Sequence, residues 1–201
     1  MFVDFTLKIT PELIIDAQGN EKKSLVGHLG THFDVMNKEF PLEYLRLPSV
    51  IFNVHNKQEI QFNDIDFSQI KEGMFVGFAT GFIENVGYGN KEYFTQHPQL
   101  SNELIEKLIA KRVAIIGIDC AGIRRGKEHT PIDQYCADHN VFVIENIPGI
   151  IRRFIIQRFG QITDNLFVYL LLGQTFRTGD HFRVQIQRNT QFIIIIKGKK
   201  L

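Results

Sequence analysis

A helix signal followed at once by a buried strand is the feature that most constrains the fold of this chain. Apolar residues recur at helical spacing over residues 100–111, where Ser101 is placed as the N-cap. The apolar run 113–118 follows directly, which is typical of the helix-to-strand step of an α/β unit. The same step recurs from a predicted helix at 130–139 to a predicted strand at 141–145. A mixed α/β fold with many strands and a few helices is therefore predicted.

In the rest of the chain, runs of β-branched residues predict strands, and Gly, Pro, Asn and Asp predict the loops between them. Further strands are predicted at residues 2–9, 25–35, 49–54, 74–79, 167–172 and 181–186, and loops at 14–23, 37–44 and 81–89. There is no internal repeat, low-complexity linker or shift in composition. Residues 1–201 are therefore predicted to form one domain.

The segment His28-Leu-Gly-Thr-His-Phe-Asp34 carries the clearest chemical pattern. If it is extended, His28, Gly30, His32 and Asp34 project to one side. Two imidazoles and a carboxylate on one face suit zinc, manganese or iron(II) better than calcium, which prefers oxygen ligands. Three protein ligands leave positions open for water and substrate, as in catalytic sites. We also weigh the alternative of an ordinary strand histidine, because His-x-x-x-His alone is a weak signal.

Charge and hydropathy argue against two classes of partner. The net charge is +1, whereas nucleic-acid-binding proteins usually carry a basic excess. Basic residues outnumber acids after Arg152, but no aromatic–basic motif accompanies them, and a solvated surface is the favoured interpretation. Apolar runs are too short to cross a bilayer, the N-terminus lacks the pattern of a secretion signal, and Cys120 and Cys136 read as reduced thiols. A cytoplasmic protein with neither nucleic-acid nor membrane partners is expected.

Several motifs, in order along the chain, resemble those of the cyclase family of metal-dependent hydrolases, which includes bacterial kynurenine formamidases and isatin hydrolase. The segment from His28 to Asp34 is similar to the family pattern His-x-Gly-Thr-His-x-Asp-x-Pro-x-His. Residues 79–82 resemble its threonine-glycine loop, His97-Pro98 its histidine-proline step, and residues 143–147 its Glu-Asn strand end. Residues 177–184 are a looser match to its C-terminal ending.

The resemblance implies the family's swivelling β/β/α fold and a homodimer or homotetramer in which neighbouring subunits help to close the site. It implies that His28, His32 and Asp34 bind a divalent metal, zinc or manganese, as one ion or two. Glu145 matches the downstream carboxylate that helps to hold the metal.

This sequence departs from the family pattern at two places. Met36 and Lys38 stand where the formamidases have proline and the histidine that is their presumed proton shuttle. Lys38 keeps the parity of the ligands, so it faces the site if the strand continues, and there it could act in proton transfer or hold a substrate carboxylate. The alternative is a solvated lysine in a loop.

The second departure concerns the downstream histidine of a two-metal site, whose place is taken by Asp133. Aspartate can also bind a metal, so we include Asp133 among the expected ligands. His129 and His139 are nearby alternatives. Of these His129, at the start of a helix, is favoured for the site, whereas His139 at a helix end is expected to cap it.

The resemblance implies a hydrolase of non-peptide C–N bonds, arylformamidase-like, in which a metal-bound hydroxide attacks a small amide, formamide or lactam. Asp34 and Glu145 would position the metal and accept the proton of its water, and Lys38 or His129 would protonate the leaving group. Two alternatives stay open. One is a cyclase or dehydratase on the same scaffold, and the other is a non-catalytic metal-binding member that has lost turnover.

Overall fold

The computed structural model describes residues 2–4, 7, 10–18, 29–149, 167–172, 174–178, 181–185 and 192–197. Its strands are β1 (Phe2–Asp4), β2 (His32–Asp34), β3 (Arg46–Asn53), β4 (Glu59–Ile60), β5 (Phe75–Ala79), β6 (Gln99–Leu100), β7 (Ile115–Ile118), β8 (Phe142–Glu145), β9 (Phe167–Leu172), β10 (Gln174–Thr178), β11 (His181–Gln185) and β12 (Phe192–Lys197). Its α-helices are α1 (Pro11–Gln18), α2 (Phe82–Val86), α3 (Lys91–Gln96), α4 (Asn102–Ala110) and α5 (His129–Asp138).

Strand β3 joins two parts of one mixed sheet. Ser49–Asn53 pair in parallel with β5, and β7 and β8 follow in parallel, before β2 closes this side in antiparallel orientation. The first residues of β3, from Arg46 to Pro48, pair antiparallel with β9, which continues through β12 to β1. The strand order is β1-β12-β9-β3-β5-β7-β8-β2. The mixed α/β fold predicted from the sequence is confirmed.

The parallel strands are buried on both faces, as their continuous apolar runs require. On one face, β5, β7 and β8 pack with the apolar stripe of α4 through Val76, Phe78, Ile116, Ile118 and Val143. On the other face, Phe75, Ile115, Phe142 and Ile144 pack with Phe33 of β2. The Ser101 hydroxyl accepts a hydrogen bond from the Leu104 amide, which confirms the predicted N-cap of α4.

Two segments that were predicted as loops contain short helices. Helix α1 begins before the predicted loop 14–23 and overlaps it at residues 14–18, and the Leu13 amide donates to the Thr10 hydroxyl at its start. Helix α2 lies within the predicted loop 81–89, between Gly81 and Gly87, which both have left-handed backbone angles. Five to eight residues give too little periodicity to separate a helical turn from a glycine-rich loop.

The strand predicted at residues 25–35 is confirmed only at His32–Asp34. Residues 19–28, including His28, lie outside the described part of the chain. Gly30 has φ 77°, a left-handed angle that a strand does not contain, so the chain bends just before β2. The extended conformation predicted for Gly30 is therefore wrong, because Gly30 makes the bend that leads into β2.

Candidate metal centre

The carboxyl ends of the parallel strands form one edge of the sheet, and the polar residues collect there. Thr80 follows β5, Asp119 follows β7, and Glu145 ends β8. Open α/β sheets bind their ligands at this edge, because loops and helix N-termini surround it. Strand β2 joins the same edge from the side, since it runs antiparallel to β8 and places His32 directly opposite Glu145.

The pleat of β2 sorts its three residues between core and site. His32 and Asp34 share one face, whereas Phe33 lies on the other and packs edge-on to Phe40 with ring centroids 4.7 Å apart. The Nε2 atom of His32 lies 3.6 Å from Glu145 Oε2 and 3.8 Å from Asp34 Oδ1. The predicted phase of His32 and Asp34 thus brings both side chains to Glu145.

Helix α5 delivers the other two members of the site. It runs back against β8, so its N-terminal half lies beside the carboxyl end of that strand. His129 and Asp133 are four residues apart and therefore share a helix face. The Nε2 atom of His129 lies 3.2 Å from both Asp133 Oδ2 and Glu145 Oε1.

Asp34, His129, Asp133 and Glu145 offer one ligand atom each, and these four atoms all lie within 4.8 Å of one another. We call these four residues the acidic cluster. The three acids are buried, while the His129 side chain is 31% exposed and borders solvent. A cluster of this size matches the space in which one divalent cation contacts several ligands.

Electrostatics show how unfavourable this arrangement is for the protein alone. Burial raises the pKa of Glu145 well above its usual range, and the charges of Asp34 and Asp133 raise it further. Burial and the charge of Asp34 likewise raise the pKa of Asp133. Among the described residues, Asp133 and Glu145 form ion pairs only with histidine, and no described donor reaches the buried Oδ1 atom of Asp133. Buried carboxylates grouped in this way fit a cation as their partner.

Lys38 does not lie with the cluster. The strand ends at Asp34, Met36 has φ 54°, and the Lys38 amide donates to the Val35 carbonyl across a tight turn. The condition for Lys38 to face the ligands, a strand that continues, is therefore not met. Its ammonium lies 2.8 Å from Asp138 Oδ1 at the surface, a placement that favours the solvated alternative.

The other sequence-predicted residues are placed as follows. His32, Asp34, Asp133 and Glu145, predicted as ligands, come together with His129, which was predicted for proton transfer or as an alternative ligand. His28 lies outside the described residues. The His139 amide caps the end of α5, and its ring Nδ1 is bonded to the Tyr135 carbonyl, as expected for a capping residue.

Sequence reasoning predicted no role for three polar residues next to the cluster, Thr80, Asp119 and Asn146. Asp119 is 1% exposed and accepts hydrogen bonds from the Thr80 hydroxyl at 2.6 Å and from the Thr80 and Gly81 amides. Burial raises the pKa of Asp119 to about 6 against the opposing effect of these donors. Its position directly after a buried strand is the signal that could have pointed to it. Asn146, directly after Glu145, lies close to Asp119, because its backbone N–H donates to the carbonyl of Cys120.

Comparison with known proteins agrees with the fold. The family model described as "Putative cyclase" matches residues 3–124. No curated protein matches the chain in sequence. Among the described residues, no helix is long and apolar enough to cross a membrane.

Solved structures share the architecture at low sequence identity. A potential metal-dependent hydrolase with cyclase activity is 17% identical with a TM-score of 0.64, covering 99% of both chains. A predicted metal-dependent hydrolase from Bacillus stearothermophilus is 17% identical with a TM-score of 0.65, covering 98% of this chain and 97% of its own. Isatin hydrolase A from Labrenzia aggregata is 14% identical with a TM-score of 0.62, covering 98% and 93%.

Proposed function

Because the chain belongs to the cyclase family, we propose that it is a divalent-metal-dependent hydrolase of a small amide-type substrate, a formamide or a lactam. The observation that carries this proposal is the convergence of Asp34, His129, Asp133 and Glu145 at the ligand-binding edge of the sheet. All three carboxylates are buried, and among the described residues neither Asp133 nor Glu145 pairs with a lysine or an arginine. This arrangement fits a bound cation better than a structural network of ion pairs.

A divalent cation, zinc or manganese, would supply Lewis-acid chemistry, activating water and polarising a substrate carbonyl. The residues of the chain supply the rest. Asp34, Asp133 and Glu145 would hold the cation, and the Nε2 atom of His32 would be a nitrogen ligand beside them. His129 is the member open to solvent, so its imidazole is placed to carry a proton between the cluster and a leaving nitrogen.

The substrate class is proposed from chemistry and from the neighbours. Isatin, which gives one set of neighbours its name, is a cyclic amide, and hydrolysis of such a bond needs an activated water and a proton for the leaving nitrogen. The cluster with a solvent-facing histidine can support both needs. Formamides of aromatic amines place the same requirements on the site.

A changed reaction on the same scaffold is the second candidate, and the placement of Lys38 favours it. The formamidases have a histidine at the position where this chain has Lys38, and here that residue pairs with Asp138 at the surface. A cyclase or dehydratase, or a member without turnover, would need no proton shuttle at that place.

We also propose a homodimer or homotetramer acting on a small molecule in the cytoplasm.

The deciding experiment measures hydrolysis of isatin and of N-formylated aromatic amines by metal-loaded and chelator-treated protein. We expect turnover that chelation abolishes and that added zinc or manganese restores. Glu145→Gln should reduce kcat/KM by at least ~100-fold, whereas Glu106→Gln, an exposed glutamate on α4, should leave it unchanged. A metal-loaded protein inactive on every amide would contradict the hydrolase proposal and favour the second candidate.

A further inference from the structure

Every polar group of Asn146 is hydrogen-bonded, and two of these bonds tie the end of β8 to the segment before β2. Its backbone N–H donates to the Cys120 carbonyl at 3.0 Å, and its backbone carbonyl accepts from the Thr31 hydroxyl at 2.5 Å. Its side-chain Nδ2 donates to the Gly30 carbonyl at 3.0 Å. Asn146 is 2% exposed, so each of these bonds forms away from water, where losing one is costly.

Two tyrosine hydroxyls complete this arrangement. The Tyr93 hydroxyl donates to Asn146 Oδ1 at 2.6 Å, and the Tyr93 side chain is fully buried. The Gly30 amide donates to the Tyr88 hydroxyl at 2.8 Å. Both polar groups of the Gly30 backbone are thus fixed from outside β2, on one side by Tyr88 and on the other by Asn146.

The Gly30 carbonyl also contacts His32. The Nδ1 atom of His32 lies 2.8 Å from this oxygen, and a carbonyl can only accept, so Nδ1 carries the proton. A carbonyl oxygen has two lone pairs, which allows it to accept from His32 and from Asn146 together. With Nδ1 held in this way, Nε2 is the nitrogen that faces Glu145 and Asp34.

We propose that Asn146, held by Tyr93, is a positioning residue that sets the ring orientation and tautomer of His32 through the Gly30 carbonyl. The value of this arrangement for metal binding rests on the proposed function, but the orientation of the ring does not. Metal-binding histidines generally donate their second N–H to a carbonyl or carboxylate, and loss of such partners typically costs about 10- to 100-fold in metal affinity.

Asparagine suits this position for two physical reasons. Its φ of 58° lies in the left-handed region, which asparagine tolerates better than most residues. Its amide offers a donor to Gly30 and an acceptor to Tyr93 at the same time. Aspartate would lose the donor and add a charge next to the buried Glu145.

The test uses two variants with matched controls. Asn146→Gly permits the left-handed backbone and removes the side-chain amide. Asn140→Gly does the same at an exposed asparagine with φ 59°. Tyr93→Phe removes only the hydroxyl, and Tyr135→Phe does so at an exposed position. If Asn146→Gly fails to fold, as judged by its unfolding transition, Tyr93→Phe decides the question.

The first readout is the nitrogen chemical shift of His32 Nδ1 in metal-free protein, by long-range proton–nitrogen correlation. We expect a protonated Nδ1 in the native protein and both controls, and a mixture of protonated and bare nitrogen in Asn146→Gly and Tyr93→Phe. The second readout is cobalt(II) affinity, expected to fall about 10- to 100-fold in the same two variants.

Unchanged Nδ1 shifts and cobalt affinities in both variants would overturn the inference. A native protein that binds no cobalt would instead contradict the proposed function, and the metal-free shifts would still decide the role of Asn146. A variant with lower thermal stability but native shifts and affinity would show a purely structural clamp, which also overturns the proposal.

Discussion

His97→Asn is expected to remove a defined part of the acid sensitivity of the fold. His97 is 1% exposed, and its Nδ1 donates to the Pro98 carbonyl at 2.8 Å. Burial lowers the pKa of His97 to about 4, with further lowering by the charges of Arg125 and His129. The Nδ2 of an asparagine at this position can make the same hydrogen bond without titrating.

The sign follows from proton linkage. The pKa of His97 is lower in the folded chain than its ordinary value of 6.5, so between pH 6.5 and 4 the unfolded chain binds the proton and the folded chain does not. Stability that is complete above pH 6.5 is therefore lost as the pH falls. Over the range from pH 7.5 to 4.5, this group removes about 2.5 kcal/mol from the free energy of unfolding. For a chain of this size, that corresponds to about 5–10 °C in Tm.

The assay is urea unfolding of chelator-treated protein at half-unit steps from pH 4.5 to 8. We compare the free energy of unfolding of the native protein with that of His97→Asn at each pH. Between pH 7.5 and pH 4.5, the native protein should lose about 2.5 kcal/mol more than the variant. His139→Asn, the same substitution at an exposed histidine, is the matched control. Parallel curves for native protein and His97→Asn would refute the reasoning.

Three further outcomes are expected from substitutions at and near the site. Lys38→Ala should keep kcat/KM within about twofold, because the ammonium is held in a surface ion pair; a large loss would restore the catalytic interpretation. Asp133→Asn should raise the free energy of unfolding of metal-free protein by about 1–3 kcal/mol at pH 8. The raised pKa of Asp133 means that this gain should vanish towards pH 4, and calorimetric metal affinity should fall in the same variant. Gly122→Ala should displace His129, since a Cβ would lie 2.6 Å from its Nδ1, and should lower kcat/KM about tenfold. Gly126→Ala, also at a left-handed angle but with open space, is its control.

The α/β part of the fold could be predicted because its signals are local. The stripe and N-cap of α4 lie within ten residues, and the apolar runs of β7 and β8 follow their helices directly. Strand pairing could not be predicted in the same way. The switch of β3 from an antiparallel neighbour at Pro48 to a parallel one at Ser49 depends on two later segments, β5 and β9, which are both more than twenty residues further along the chain.

The site was predictable where one element sets the spacing. His32 and Asp34 follow from the pleat of a strand, and His129 and Asp133 share a helix face. The prediction for Lys38 extended the same parity across Met36, where a single left-handed residue turns the chain away. A parity argument holds only as far as the strand does.

The hydrogen bonds among the polar residues behind the ligands could not be predicted from local sequence. Asn146 contacts Gly30 across 116 residues and Tyr93 across 53, and Tyr88 reaches Gly30 across 58. Such bonds join residues that are distant in sequence and come into contact only when the carboxyl ends of β5, β7 and β8 lie side by side.

Calorimetric titration of zinc or manganese into chelator-treated protein tests the central claim most directly, with native protein, Asp34→Asn and Glu145→Gln compared in the same buffer. Binding by the acidic cluster predicts saturable uptake of at least one ion per native chain, and loss of that uptake in both variants. Native protein that takes up no divalent ion, or variants that bind as tightly as the native chain, would contradict the account.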